Sequence, residues 1–350
     1  MTIYSTSNLV TAVKKEPAAP TFLGRRYFPT TSRDIFKGPK VAIERTDEGN
    51  LAAPFVVPYS GSTLMEREAY TGELIEPAFI NPSRGMTIDT LRKKGIGETE
   101  FDEVAPEERE QRYLADDLVW LEKSVTRRIE WMRGQILTKG YVDCDLYKAS
   151  GDASPVRFKF YEGDSFANVC TFSAKWSEGG DKYAQISSMV NDIPGQYGNV
   201  DLIVGKNLVA DLVEDDKILK MLNVTNAVFG ALNPNMDLEE GVGFLGALNF
   251  GGKTCNVYTY TECADVDGQQ VSYIDPDAIV ALPATGFGAT KYAAITQMEE
   301  EDRVYHTRSG EMVPRYVADV NGNSRKLEMA SAPLPCPYAL DSWRVMFPNK

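Results

Sequence analysis

Residues 106–139 read PEEREQRYLADDLVWLEKSVTRRIEWMRGQILTK. Within them Leu114, Leu118, Leu121, Val125, Ile129, Met132 and Ile136 recur at steps of four, three, four, four, three and four. That spacing puts the apolar side chains on one stripe of an α-helix. Pro106 suits the first turn, where its missing N–H goes unneeded. Glu107, Glu108 and Glu110 fall toward the positive end of the helix dipole, and Arg127, Arg128, Arg133 and Lys139 toward the negative end. Gly140 supplies the stop. At 1.5 Å per residue the helix is about 50 Å long. Burying each stripe residue contributes about 1.5–3 kcal/mol, so this helix is the spine of its domain. A coiled coil uses similar spacing, but Trp131 and Gly134 near the end disfavour a long zipper.

Upstream, residues 40–100 carry no helical period. Short apolar runs (Val41 to Ile43, Pro54 to Val57, Ala78 to Ile80) alternate with Gly, Pro and charge. Pro54, Pro58, Pro77 and Pro82 disfavour helix interiors and central strands. A segment of this length is too long for an ordinary loop. The sequence predicts a two-stranded excursion with its tip near Ser60 to Ala69. Such a ribbon has little core of its own and needs a docking surface elsewhere. Residues 1–39 read as an arm with one apolar patch, Thr21 to Pro29, that packs on its own body or on a neighbour.

Downstream, Val156, Phe158 and Phe160 alternate with Arg157 and Lys159, the pattern of a half-buried strand. Tyr183, Ile186, Val190 and Ile193 mark a short helix ending at Pro194-Gly195. Val200 to Val204 is a buried strand. Leu208, Leu212, Leu219 and Leu222 mark one further helix. Gly241 to Gly252 reads as glycine-rich linker. A hairpin follows, with arms Cys255 to Glu262 and Val271 to Ile274 turning at Asp267-Gly268. Ala278 to Leu282, Ser324 to Ala330 and Trp343 to Phe347 are further strands.

The chain has 350 residues and a formal charge of −13, which suggests two domains and argues against a basic nucleic-acid-binding face. Five cysteines, Cys144, Cys170, Cys255, Cys263 and Cys336, form no CxxC pair and fit a reducing cytoplasmic setting. Residues 1–13 lack the apolar core of a signal peptide, and no run of eighteen apolar residues occurs.

Motifs for catalysis are weak. His306 is the single histidine, which removes most nucleophilic triads and His-rich zinc sites. Gly251-Gly252-Lys253-Thr254 resembles the tail of a phosphate loop, but Ala247 stands where its first glycine belongs. Asp265-Val266-Asp267-Gly268 begins like a calcium loop, but Cys263 and Ile274 occupy ligand positions, and a turn is the better reading. Gly286-Phe287-Gly288 is a lone Gly-x-Gly. Glu299-Glu300-Glu301-Asp302 reads as a solvated face. A carboxylate pair of glycosidase type needs no histidine, yet nothing points to one. No catalytic, cofactor-binding or metal-binding residue is assigned, and no cofactor is expected.

The order of arm, extended hairpin, spine helix and second domain resembles the major capsid proteins of tailed bacteriophages, in particular the lambda-like major capsid protein family. The likeness runs along nearly the whole chain. It rests on Phe22-Leu23 with Tyr27-Phe28-Pro29, on Pro54-Phe55-Val56-Val57-Pro58 with Gly61, and on Pro77, Ile80 and Pro82. It continues through Ile136 to Tyr141 at the helix exit, Gly198 to Leu212, and Ser331-Ala332-Pro333-Leu334-Pro335. The resemblance implies an α+β fold of the Hong Kong phage capsid type. Residues 1–39 would be the arm and 40–100 the extended loop. Residues 101–180 with 325–350 would form a peripheral domain, and 181–324 an axial domain. It further implies a non-enzymatic shell subunit, in the virion after assembly in the host cytoplasm. The subunit would form hexamers and pentamers of an icosahedral head around double-stranded DNA, without sequence-specific contact. Portal, scaffold and decoration proteins would be partners, and a membrane would not. Phe22, Leu23, Tyr27 and Phe28 in the arm, with Leu64, Met65, Arg67 and Tyr70 near the hairpin tip, are the candidates for contacts between subunits. An encapsulin-like nanocompartment shell and an unrelated carboxylate-dependent enzyme are the alternatives.

Overall fold

The spine helix spans Pro106–Lys139, 34 residues, the bounds its sequence predicts. In the computed structural model, which describes residues 21–45, 71–87, 106–147, 153–161, 163–194, 198–224, 241–266, 268–300, 303–319 and 324–350, all the stripe residues are buried, none more than 8% exposed. Gly140, at φ 73°, ends the helix in the left-handed region that favours glycine.

The stripe serves two cores. Leu114, Leu118, Leu121, Val125 and Ile129 pack on Leu327 and Met329. These two lie in a three-stranded antiparallel sheet ordered Val313–Asp319, Ser324–Ala330, Ser83–Thr87. At the helix N-terminal end, Glu110 accepts from Tyr316 Oη at 3.2 Å and pairs with Arg325, so the sheet is held by charge as well as by packing. Met132, Ile136 and Leu137 enter a larger core shared with a second sheet.

That second sheet has six strands, in the order Val169–Cys170, Arg344–Met346, Ile279–Pro283, Asn199–Val204, Lys253–Tyr260, Val242–Phe250. Its two faces follow strand period two. Val200, Leu202, Val204, Val257, Ile279 and Ala281 face a layer made with Ile186, Met189, Val190, Leu212 and Ile218. Ile203, Tyr258, Tyr260, Val280 and Leu282 face the arm and the end of the spine. Gly134 permits the close approach: a Cβ there would overlap the Tyr273 carbonyl.

Three sequence expectations change. Gly241 to Gly252 is not a linker. Val242–Phe250 is an edge strand antiparallel to Lys253–Tyr260, and Gly251-Gly252, both at positive φ, form the turn between them. The hairpin around Asp267-Gly268 uses Cys263–Val266 and Gln269–Ser272, because Cys255 to Tyr260 is committed to the six-stranded sheet. The single helix over Leu208 to Leu222 is two, Val209–Val213 and Asp216–Val224. Asp215 breaks it: its Oδ1 accepts from Lys217 N at 2.9 Å and Ile218 N at 3.1 Å, starting a new helix.

The excursion expected over 40–100 has a two-stranded base. Val41–Arg45 pairs antiparallel with Thr71–Ile75, from Val41 opposite Ile75 to Arg45 opposite Thr71. Its expected tip, residues 60–69, lies outside the described residues. The returning chain joins the spine-bound sheet as Ser83–Thr87. At the other end of the chain, Arg344–Met346 lies in the six-stranded sheet, antiparallel to Ile279–Ala281.

Candidate assembly site

The arm's apolar patch forms a short helix, Phe22–Arg26, wedged between the spine and the six-stranded sheet. Two buried carboxylates hold it. Glu130, fully buried on the spine, accepts from Leu23 N at 2.7 Å and Gly24 N at 3.2 Å, satisfying amides in the first turn of the arm helix. It also accepts from Tyr260 Oη at 3.0 Å and Arg133 Nη1 at 3.0 Å. Arg133 reaches onward, its Nε and Nη2 donating to Thr290 Oγ1 at 3.1 and 2.9 Å. Asp201, fully buried on the sheet, accepts from Arg26 Nε at 2.6 Å, Tyr27 Oη at 2.9 Å and Asn256 Nδ2 at 3.1 Å. Buried charges persist only when paired and hydrogen-bonded, and both carboxylates meet that condition.

Aromatic side chains fill the space around these charges. Phe22 meets Tyr27 edge-on at 5.5 Å between centroids, and Arg26 lies 4.8 Å over the Tyr258 ring. Phe28 meets Phe287, which in turn meets Trp343. Burial, then the Asp201 charge, holds the Tyr27 hydroxyl well above the ordinary tyrosine range. Tyr260 is raised by burial and then by Glu130. Both phenols therefore stay donors. The site is a mechanical junction, in which the arm meets two carboxylates that each lie more than 100 residues further along the chain.

Phe22, Leu23, Tyr27 and Phe28, expected between subunits, are buried against their own chain, none more than 6% exposed. Little of their side-chain surface remains for a neighbouring copy. Leu64, Met65, Arg67 and Tyr70 lie outside the described residues. Arg133, near the negative end of the spine's dipole, is buried at the centre of the junction. Sequence reading did not single out Glu130 or Asp201. The one available signal was a charge interrupting each apolar pattern, at Glu130 beside Ile129 and at Asp201 within Val200 to Val204.

The weak motifs have structural roles. Lys253 Nζ donates to Val190 O at 2.9 Å and to Ile193 O, capping the end of the helix Lys182–Asn191. Asp265 Oδ1 accepts from Gly268 N at 2.8 Å within the hairpin turn. Phe287 of the Gly-x-Gly is core. His306 sits opposite Gln297 in a two-stranded hairpin. Glu299, expected on a solvated face, is buried and paired with Arg308, Nε to Oε1 at 2.6 Å. Burial pushes the Cys144 thiol up to about 11 and the Cys255 thiol up to about 12, away from nucleophilic use at neutral pH. Among the described residues, no group of three or more His, Cys, Asp and Glu side chains is placed to hold a metal ion. No described helix is long and apolar enough to cross a membrane.

The family model for phage major capsid protein E matches residues 5–345. The chain belongs to that family. The capsid subunit is a structural protein and not an enzyme, and its place is the virion. Comparison with curated proteins found no match. Among solved structures the subunit is similar to a prophage capsid protein from Escherichia coli CFT073. The TM-score is 0.66 at 17% identity, over 98% of each chain. It is also similar to a phage-related protein from Bordetella bronchiseptica RB50, with a TM-score of 0.48 at 11% identity, over 98% of this chain and 97% of that one. The satellite phage P4 procapsid, which includes a size determination protein, matches with a TM-score of 0.48 at 12% identity, over 99% and 98%. The first likeness bears out the α+β fold of Hong Kong phage capsid type that the residue pattern resembles.

Proposed function

We propose that copies of this subunit assemble as hexamers and pentamers into an icosahedral head that encloses double-stranded DNA. One observation carries the reading. The ribbon Val41–Arg45/Thr71–Ile75 pairs with no third strand among the described residues, and its outward Leu74 is 67% exposed. Its inner residues Val41 and Ile43 pack into the chain's own core, so the ribbon is open on its outer face and along its edges, where a neighbouring subunit supplies the cover. The proposed division is an arm over 1–39, an extended loop over 40–100, a peripheral domain over 101–180 with 325–350, and an axial domain over 181–324. The pairing of Arg344–Met346 with Ile279–Ala281 favours moving that last strand to the axial part.

Portal, scaffold and decoration proteins are the further partners, and assembly precedes release from the host cytoplasm. Electron microscopy of the purified chain tests the core of this reading. Closed particles or hexameric capsomers are expected, and a monomer at every concentration would refute it. Deleting residues 60–70 should abolish particles while leaving the far-ultraviolet circular dichroism of the subunit intact. Normal shells from that deletion would remove the extended loop from the assembly mechanism.

A further inference from the structure

We infer that the hairpin Ile295–Met298/Tyr305–Arg308 docks on a second copy of this chain, its outer face covered by that copy and its acidic end set against the copy's Arg33, Lys37 and Lys40. The inference rests on the shell reading and names one contact within it.

The hairpin register pairs Ile295 with Arg308, Thr296 with Thr307, Gln297 with His306 and Met298 with Tyr305. Residues directly opposite share a face. Ile295, Gln297 and Glu299 turn inward and are buried. Thr296, Met298, Tyr305 and Thr307 turn outward and are exposed. Met298 is 40% exposed, Val304 52% and Tyr305 69%, which makes an apolar tip. Large apolar groups gathered at one exposed place mark an interaction surface more often than scattered ones do. The ribbon is braced to hold that face out. Arg308 pairs with Glu299, Thr296 Oγ1 lies 2.8 Å from Thr307 Oγ1, and Arg315 Nη1 donates to Met298 O at 3.3 Å.

Charge identifies the occupant. Arg33, Lys37 and Lys40 are exposed, and Asp34, the one acid in 31–40, is turned inward onto Thr31, Oδ2 accepting from N at 2.9 Å and Oγ1 at 2.6 Å. This leaves a basic strip on a chain of formal charge −13. The strip runs beside the hairpin's root: Phe36 N donates to Tyr292 O at 2.8 Å, and Ala294 N to Gly38 O at 2.9 Å. Exposed Glu300 stands at the far end of the strand, in the acidic sequence run Glu299 to Asp302 that exposed Arg303 follows. Four strand residues separate root from tip by about 13 Å, beyond the screening length of about 8 Å at physiological salt. Tip and root of one copy therefore do not satisfy each other, whereas the tip of one copy and the root of the next do. Such a head-to-tail contact is heterologous and closes into a ring when its rotation allows.

The test uses the full chain in particle assembly, followed by sedimentation and electron microscopy. The double variant Met298→Ser/Tyr305→Ser should need about tenfold or more subunit concentration to assemble, with the melting of the unassembled subunit unchanged. Glu300→Lys and Lys37→Glu, both at exposed positions that the fold does not use, should each weaken assembly, and their combination should restore it. Assembly of the double variant at the wild-type concentration, with no rescue in the charge pair, overturns the inference and leaves the shell reading intact. Normal particles that have lost only the binding of a separate protein also overturn it, since the occupant is then not a second copy. Failure of the unmodified chain to form particles strikes the shell reading itself.

Discussion

Replacing Glu130 with alanine attacks the junction at the point where arm, spine and sheet meet. The carboxylate accepts from two arm amides, a tyrosine hydroxyl and a guanidinium, all at 3.2 Å or less. Deleting one partner of a buried ion pair costs about 3–5 kcal/mol, because the other charge remains buried. Each orphaned amide adds about 1–3 kcal/mol. These costs overlap, since the groups share one site, and a loss of about 4–6 kcal/mol is expected for Glu130→Ala. Against a typical total stability of about 5–15 kcal/mol, that is a large part of the whole. The arm helix has only five residues and cannot stand alone, so it should leave first. Urea unfolding of the unassembled subunit measures the loss, and trypsin cleavage after Arg25 and Arg26 reports the release of the arm. Glu214→Ala, at an exposed position, is the control and should change stability by less than about 0.5 kcal/mol. A loss below about 1 kcal/mol with the arm still protected would show that the carboxylate does not hold the junction.

Two further outcomes follow from the same packing. Gly134→Ala should destabilise by about 1–3 kcal/mol or more, since its methyl group would overlap the Tyr273 carbonyl and push the spine away from the six-stranded sheet; wild-type thermal unfolding of that variant would contradict the close approach. Tyr27 and Tyr260 are raised above the ordinary tyrosine value, burial being the first cause in both, and burial pushes Tyr292 up to about 12. The folded state therefore keeps these protons longer than the unfolded one. Their contribution is complete below the unfolded value of about 10 and is lost as pH rises through the folded values. Absorbance at 295 nm should show a set of tyrosines ionising only together with loss of circular dichroism. All tyrosines titrating near pH 10 with the fold intact would contradict the buried donors.

The elements most legible in the sequence were those whose signal is local. The spine announced both of its ends, through Pro106 and Gly140, and seven residues at helical spacing marked the buried face between them. Ser324–Ala330 was bounded correctly too, with Leu327 and Met329 two residues apart as strand spacing requires. Val242–Phe250 was missed because Gly243 and Gly246 interrupt its pattern, and only the neighbouring strand Lys253–Tyr260 gives it a ladder. The arm patch was recognisable as apolar, but its partner was not. A short helix without a core fits its own body and a neighbour equally well until the buried surface is seen.

The sequence by itself determined the spine helix with both of its ends, several of the strands, and that the arm's apolar patch needs cover from elsewhere. Those properties depend on the spacing of a few residues along one segment. Only the tertiary structure decided that the cover of the arm's apolar patch is intramolecular. Glu130 lies 107 residues from Leu23, and Asp201 lies 175 from Arg26. No local pattern links residues so far apart. Their pairing exists because the spine and the six-stranded sheet converge on the arm and exclude water there, and a charge in that place must find every partner within the fold.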